Sequence, residues 1–178
     1  NCRSRRRAAS WTALACLWAA YLSFPDKEYV FDGVLFSSVI ERLHDSWREA
    51  LLNPRHLIFN SFIMSVRDFL ALLGIEERAY SLIQKINATL GVLGLALYFL
   101  LLRRMNVGRD LAVFAAGVLA VSNVYWSRAS EGQAYMMMAF WALAALYWAG
   151  SLIREETTLA AYGLILLVSG AILFHAAN

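Results

Sequence analysis

Charge is scarce in this chain, and the scarcity excludes several kinds of protein at once. Only 16% of its residues are charged, against about 25% in an ordinary soluble domain. The formal net charge is +3, too little for a protein that neutralises a run of nucleic-acid phosphates, so no nucleic-acid partner is expected. Cysteine is nearly absent as well. Cys2 sits among arginines and Cys16 inside an apolar run, and the pair reads as two free thiols rather than a disulfide framework. No metal-ligand spacing, phosphate-binding glycine loop or nucleophile elbow occurs. No resident cofactor is therefore expected, and a divalent metal has no ligand spacing to support it. There is no internal repeat and no low-complexity segment.

What abounds is apolar surface. Hydrophobic residues make up 60% of the chain, against about 45–50% in soluble proteins. They fall in blocks long enough to cross a bilayer, and the charges collect between the blocks. The fold expected is all-α and integral to the membrane, with about five transmembrane helices over 10–25, 81–102, 111–126, 134–153 and 159–174. The first is short against the ~20 residues of a full span. With its preceding Arg3, Arg5, Arg6 and Arg7 it reads as an uncleaved helix, a secretory signal peptide being the alternative. Residues 26–80 form the most polar stretch, an outer loop with nine acidic and six basic residues.

Two surface helices are expected inside that loop. Phe36, Val39, Ile40, Leu43, Trp47 and Leu51 recur at helical spacing, with Glu41, Arg42, Asp45, Arg48 and Glu49 opposite them. Asn53-Pro54 breaks the run. Residues 57–73 are apolar again but carry Asn60, Arg67 and Asp68, and an ionised group at mid-bilayer costs roughly 2.5–3.5 kcal/mol. This stretch is expected on the membrane surface, not across it. The basic segments then all fall on one side: Arg3–Arg7, Arg103–Arg109 and Arg154. By the positive-inside rule that side is cytoplasmic, with the amino terminus inside. Gly91, Gly94, Gly117 and Ser122 are expected at helix contacts, Met136-Met137-Met138 at packing or lipid contacts, and the acceptor-like Asn87-Ala88-Thr89 is expected to be inert within a span.

On this topology several polar groups converge at the outer face. They are Asp32; Arg128, Glu131, Gln133 and Tyr135; Arg55 and His56; and His175 with Asn178. Each has a plainer reading. Asp32 suits a helix N-terminus, Arg128 a lipid headgroup, Glu131 and Gln133 ordinary loop polarity, Arg55 and His56 a helix start, and His175 an interfacial histidine.

Taken in order, the motifs resemble the polyprenyl-phosphate-dependent membrane glycosyltransferases of the GT-C superfamily. That group includes protein O-mannosyltransferases, aminoarabinose transferases and uncharacterised bacterial relatives. The resemblance lies in Phe31-Asp32-Gly33 after the first span, Asn53-Pro54-Arg55-His56-Leu57 in the loop, the span from Asn87-Ala88-Thr89-Leu90-Gly91 to Leu101-Leu102-Arg103-Arg104, and Tyr125-Trp126-Ser127-Arg128-Ala129-Ser130-Glu131-Gly132-Gln133-Ala134-Tyr135. It implies transfer of a hexosyl or pentosyl group from a polyprenyl-phosphate donor to a lipid, glycan or protein acceptor on the non-cytoplasmic face. It also implies contact with membrane lipids and a place in the plasma (inner) membrane of a bacterial cell envelope. Asp32 stands where the family's general base stands, with Arg55, His56, Arg128, Glu131, Gln133, Tyr135 and His175 lining the substrate site. The chain departs at Gly33, where many relatives carry a second acid, and at Gln133, where many bacterial relatives carry an acid before the tyrosine. Residues 1–178 read as the N-terminal part of one such transmembrane domain. A polytopic transporter or lipid flippase, or a non-catalytic membrane scaffold, is the alternative class.

Overall fold

The computed structural model describes residues 2–27, 31–42, 58–155 and 158–174. All regular structure among them is helical: α1 Cys2–Ser23, α2 Phe31–Arg42, α3 Phe59–Leu72, α4 Ala79–Arg104, α5 Arg109–Val121, α6 Asn123–Ser130, α7 Tyr135–Glu155 and α8 Thr158–Phe174.

The central element is α4. Its 26 residues contain no proline and end in Arg103 and Arg104, cations that favour the negative end of the helix dipole. Beyond it Asn106 takes a left-handed conformation, φ 61°, which asparagine tolerates better than most residues. At its start Arg78 supplies no side-chain cap. Glu41 of α2 does so instead, its Oε1 accepting from the Ala79 amide at 3.0 Å. One first-turn amide that no helix bond can satisfy is thereby met from a neighbouring helix.

Contacts along α4 set the chain direction. Its first turns meet the connection 131–134. Its last turn meets α7 further along, where Arg104 donates to the Tyr147 carbonyl and stands 5.0 Å from that ring's centre. So α4 and α7 run parallel. α1 leads into the end where α4 begins, because the Asp26 amide donates to the Ser130 carbonyl at 3.2 Å. α8 returns there too, with the Ile58 amide donating to Leu173.

One helix among the described residues, α4, is long and apolar enough to cross a membrane alone. α5 and α6 pass that test only together, and they are bent by 63° at Ser122. A straight span over 111–126 is therefore not what forms. Ser122 takes an extended conformation, and its hydroxyl accepts from the Tyr125 amide at 3.4 Å, starting a new helix. Thr12–Ser23, Tyr135–Gly150 and Ala161–Leu173 are shorter apolar stretches.

The loop helices cap one end of the bundle. α2 covers the first half of the expected amphipathic run and buries Gly33, Phe36, Ser37 and Ile40; residues 43–57 lie outside the described residues. α3 matches the expected 57–73 helix. At 14 residues it is ~21 Å long, short of the ~30 Å hydrocarbon core. It buries Phe59, Asn60, Ile63 and Met64. Phe59, Ile63 and Met64 form one core with Leu82 and Ile83 of α4 and Met137 of α7. A second core gathers Tyr21, Val92, Leu95, Ala129 and Met136 between α1, α4, α6 and α7.

Small residues set the closest approaches, with one exception to expectation. A Cβ on Gly91 would come 2.9 Å from that of Ala129, and one on Gly94 would come 2.8 Å from the Tyr125 hydroxyl. Gly117 has nothing within 4 Å, because it lies on the exposed side of α5, so it marks no helix contact among the described residues. Gly163 and Gly170, which no sequence pattern singled out, receive Trp148 and Trp141 of α7. Both pairs are seven residues apart, and in antiparallel helices this seats each indole in a glycine hole. We predict that Gly163→Ala destabilises the protein by about 1–3 kcal/mol, the usual cost of overpacking. Gly117→Ala should stabilise it by roughly 0.5–1 kcal/mol through helix propensity. Thermal unfolding in detergent measures both.

Candidate functional site

The segment 131–134 is an unwound connection between α6 and α7, and all four of its residues are buried. Buried backbone groups need partners, and α4 provides them. Asn87 Nδ2 donates to the carbonyls of Glu131 at 2.8 Å and Gln133 at 2.6 Å. One turn earlier, Gln84 Nε2 donates to the carbonyls of Asp26 at 2.9 Å and Ser130 at 3.0 Å. The i, i+3 spacing puts both amides on one face of α4. Asn87 Oδ1 is buried without a hydrogen-bond partner among the described residues.

Two glycines let a second segment reach this connection. A Cβ on Gly33 would lie 2.5 Å from the Gly132 carbonyl oxygen, and one on Gly132 would run into the Tyr80 ring. The first turn of α2, carrying Asp32, is thereby pressed against the connection carrying Glu131. The two stand about a hundred residues apart in sequence and share one end of the bundle. Asp32 is partly buried, at a helix N-terminus where a carboxylate is favoured.

The side chains of the connection form a compact group. Arg128 Nη1 donates to Glu131 Oε1 at 2.7 Å and to Gln133 Oε1 at 3.1 Å. Its guanidinium lies over the Tyr135 ring, 4.5 Å from the centre. Exposure within the pair is lopsided: 44% for the arginine side chain and 4% for the glutamate. Burial pushes the Glu131 carboxyl above the ordinary glutamate value of 4.5; the bond and charge of Arg128 oppose this, and the charge of Asp26 adds to it.

Of the residues expected from sequence, Arg128 thus contacts Glu131, Gln133 and Tyr135, with Asp32 on the segment packed against the connection that carries two of them. Arg55, His56 and His175 lie outside the described residues. Asp26, Gln84 and Asn87 belong to the site and were missed. The available signal was polar side chains three residues apart inside an apolar run, which in a membrane helix points to function or packing. No three of His, Cys, Asp and Glu converge among the described residues, and Glu131 Oε1 accepts from Arg128. A charged recess of about 360 Å³ opens among Glu41, Arg67, Glu76, Glu77 and Arg78, and none of the expected site residues lines it.

The lopsided exposure makes the two halves of the ion pair unequal under mutation. Arg128→Gln leaves a buried carboxylate without its cation and should cost about 3 kcal/mol. Glu131→Gln leaves an arginine that water can solvate, and should cost little. Folded Glu131 holds its proton more tightly than the unfolded chain does. Its stabilising contribution is therefore full below the unfolded value and is lost as pH rises through the folded one. Melting curves from about pH 4 to about pH 8 should show a decline in the wild type that Glu131→Gln flattens. No protein-family model, no curated protein and no solved structure matches this chain.

Proposed function

We propose that this chain belongs to a membrane glycosyltransferase that moves a sugar from a polyprenyl-phosphate donor to an acceptor on the non-cytoplasmic face. In this reading five helical passes cross the bilayer: α1, α4, the bent pair α5–α6, α7 and α8. Helices of 22, 21 and 17 residues, α1, α7 and α8, measure ~26–33 Å, near the ~30 Å of hydrocarbon. Large apolar side chains such as Leu111, Phe114 and Val121 on α5 and Ile165, Leu166 and Ile172 on α8 are exposed, as a lipid-facing surface requires. Arg3, Arg5, Arg6 and Arg7 begin α1, and Arg103, Arg104 and Arg109 lie where α4 ends, which makes that side cytoplasmic. The Asp32–Glu131 end then faces outward.

The observation that carries the reading is the Gly33–Gly132 contact. It sets a carboxylate at a helix start against a segment with an exposed guanidinium. Asp32 takes the proton of the acceptor hydroxyl as the bond to the anomeric carbon forms. The bond from that carbon to the departing phosphate breaks, and Arg128 offsets the negative charge the phosphate gains. α2 and α3, capping this end, stand where a lipid-bound phosphate emerges from the bilayer.

Asp32→Asn should lower sugar transfer from a labelled polyprenyl-phosphate donor by about a hundredfold or more while leaving the thermal midpoint close to wild type. Undiminished transfer would remove Asp32 as the base. Lipid or solute movement across vesicles without any transfer would make the protein a transporter.

A further inference from the structure

Arg128 is gripped through one nitrogen only. Nη1 donates to both Glu131 Oε1 and Gln133 Oε1, and the Tyr135 ring lies against the guanidinium plane. Nε and Nη2 have no partner among the described residues, and the side chain is nearly half exposed. Those two nitrogens form the side-on edge of a guanidinium, whose parallel N–H bonds match two oxygens of a phosphate. The groups that grip Arg128 are themselves fixed. Glu131 and Gln133 are buried, and both of their carbonyls are bound by Asn87. A carboxylate so enclosed, with Oε1 already bonded, is poorly placed to touch a substrate. What it does instead is fix the plane and direction of a long side chain whose freedom would otherwise oppose binding.

We propose that Glu131 is a positioning residue: with Gln133 and Tyr135 it holds Arg128 so that the Nε–Nη2 edge meets the phosphate of a lipid-linked donor. The identity of the donor rests on the glycosyltransferase reading. The positioning of Arg128 toward a lipid phosphate does not.

Binding of decaprenyl phosphate to the protein in nanodiscs tests this, with the uncharged decaprenol and phosphatidylglycerol measured alongside. Arg128→Gln should weaken decaprenyl phosphate binding roughly tenfold or more, the loss of hydrogen bonds to a charged group. Arg128→Lys should weaken it too, because the charge remains and the fork does not. Glu131→Gln should weaken it roughly threefold to tenfold, the cost of ordering one long side chain. That effect should vanish when Arg128 is already Gln, and decaprenol binding should be unchanged throughout. This dependence on Arg128 separates positioning from a general loosening of the fold. If Glu131→Gln weakens binding equally in both backgrounds, or weakens decaprenol as much, the positioning role is wrong. If phosphatidylglycerol binds as tightly as decaprenyl phosphate and shows the same dependence on both residues, the positioning role stands and the sugar-donor reading falls.

Discussion

Two hydrogen bonds from Asn87 Nδ2, to the carbonyls of Glu131 and Gln133, hold the site together. A backbone that leaves the helical ladder inside a packed bundle strands its carbonyls where water does not reach, and each stranded group costs about 1–3 kcal/mol. An amide side chain within a long helix is one of few groups that can answer two of them at once. Gln84 repeats the device one turn earlier, on Asp26 and Ser130. The connection can therefore stay unwound and buried, and the glycine at its middle can take the first turn of α2 at close range. Everything assigned to this end of the bundle depends on that local failure of helix being satisfied from α4.

The charges follow from the same enclosure. Glu131 is drawn into the protein by the backbone that carries it, and desolvation pushes its carboxyl upward despite a 2.7 Å bond to arginine. Arg128 loses little by its part in the pair because water still reaches it. The ion pair is accordingly weak as a source of stability and useful as a source of geometry. It spends the conformational freedom of one side chain in advance, which lowers the entropic cost of any contact that side chain makes.

Much of this was legible in the sequence because it rests on periodicity and on charge. The loop helix at 57–73, the basic clusters at one end, and the grouping of Arg128, Glu131, Gln133 and Tyr135 all follow from spacing within a few residues. The bend at Ser122 was not legible, since an apolar run that continues through a serine looks the same whether the helix continues or restarts. Nor were the seats of Trp141 and Trp148 on Gly170 and Gly163, which depend on the register between two helices. Asn87 was read only as an acceptor motif buried in a span. Its role became visible when the backbone it serves, forty-odd residues away, was in view. Asp26 belongs to the same class, because nothing local marks it as the acid whose charge acts on Glu131.

A shared site in a five-pass protein requires that Asp32 and Arg128 face water on the same, non-cytoplasmic side of a membrane, with Asn106 on the other. Single cysteines at these three positions, in a protein with Cys2 and Cys16 replaced by serine, can be probed in intact cells with a membrane-impermeant maleimide. Cysteines at 32 and 128 should react without permeabilisation and the one at 106 only after it. Cysteines at 32 and 128 that react from opposite sides would contradict the shared site. All three reacting from one side would contradict the five-pass arrangement on which it stands.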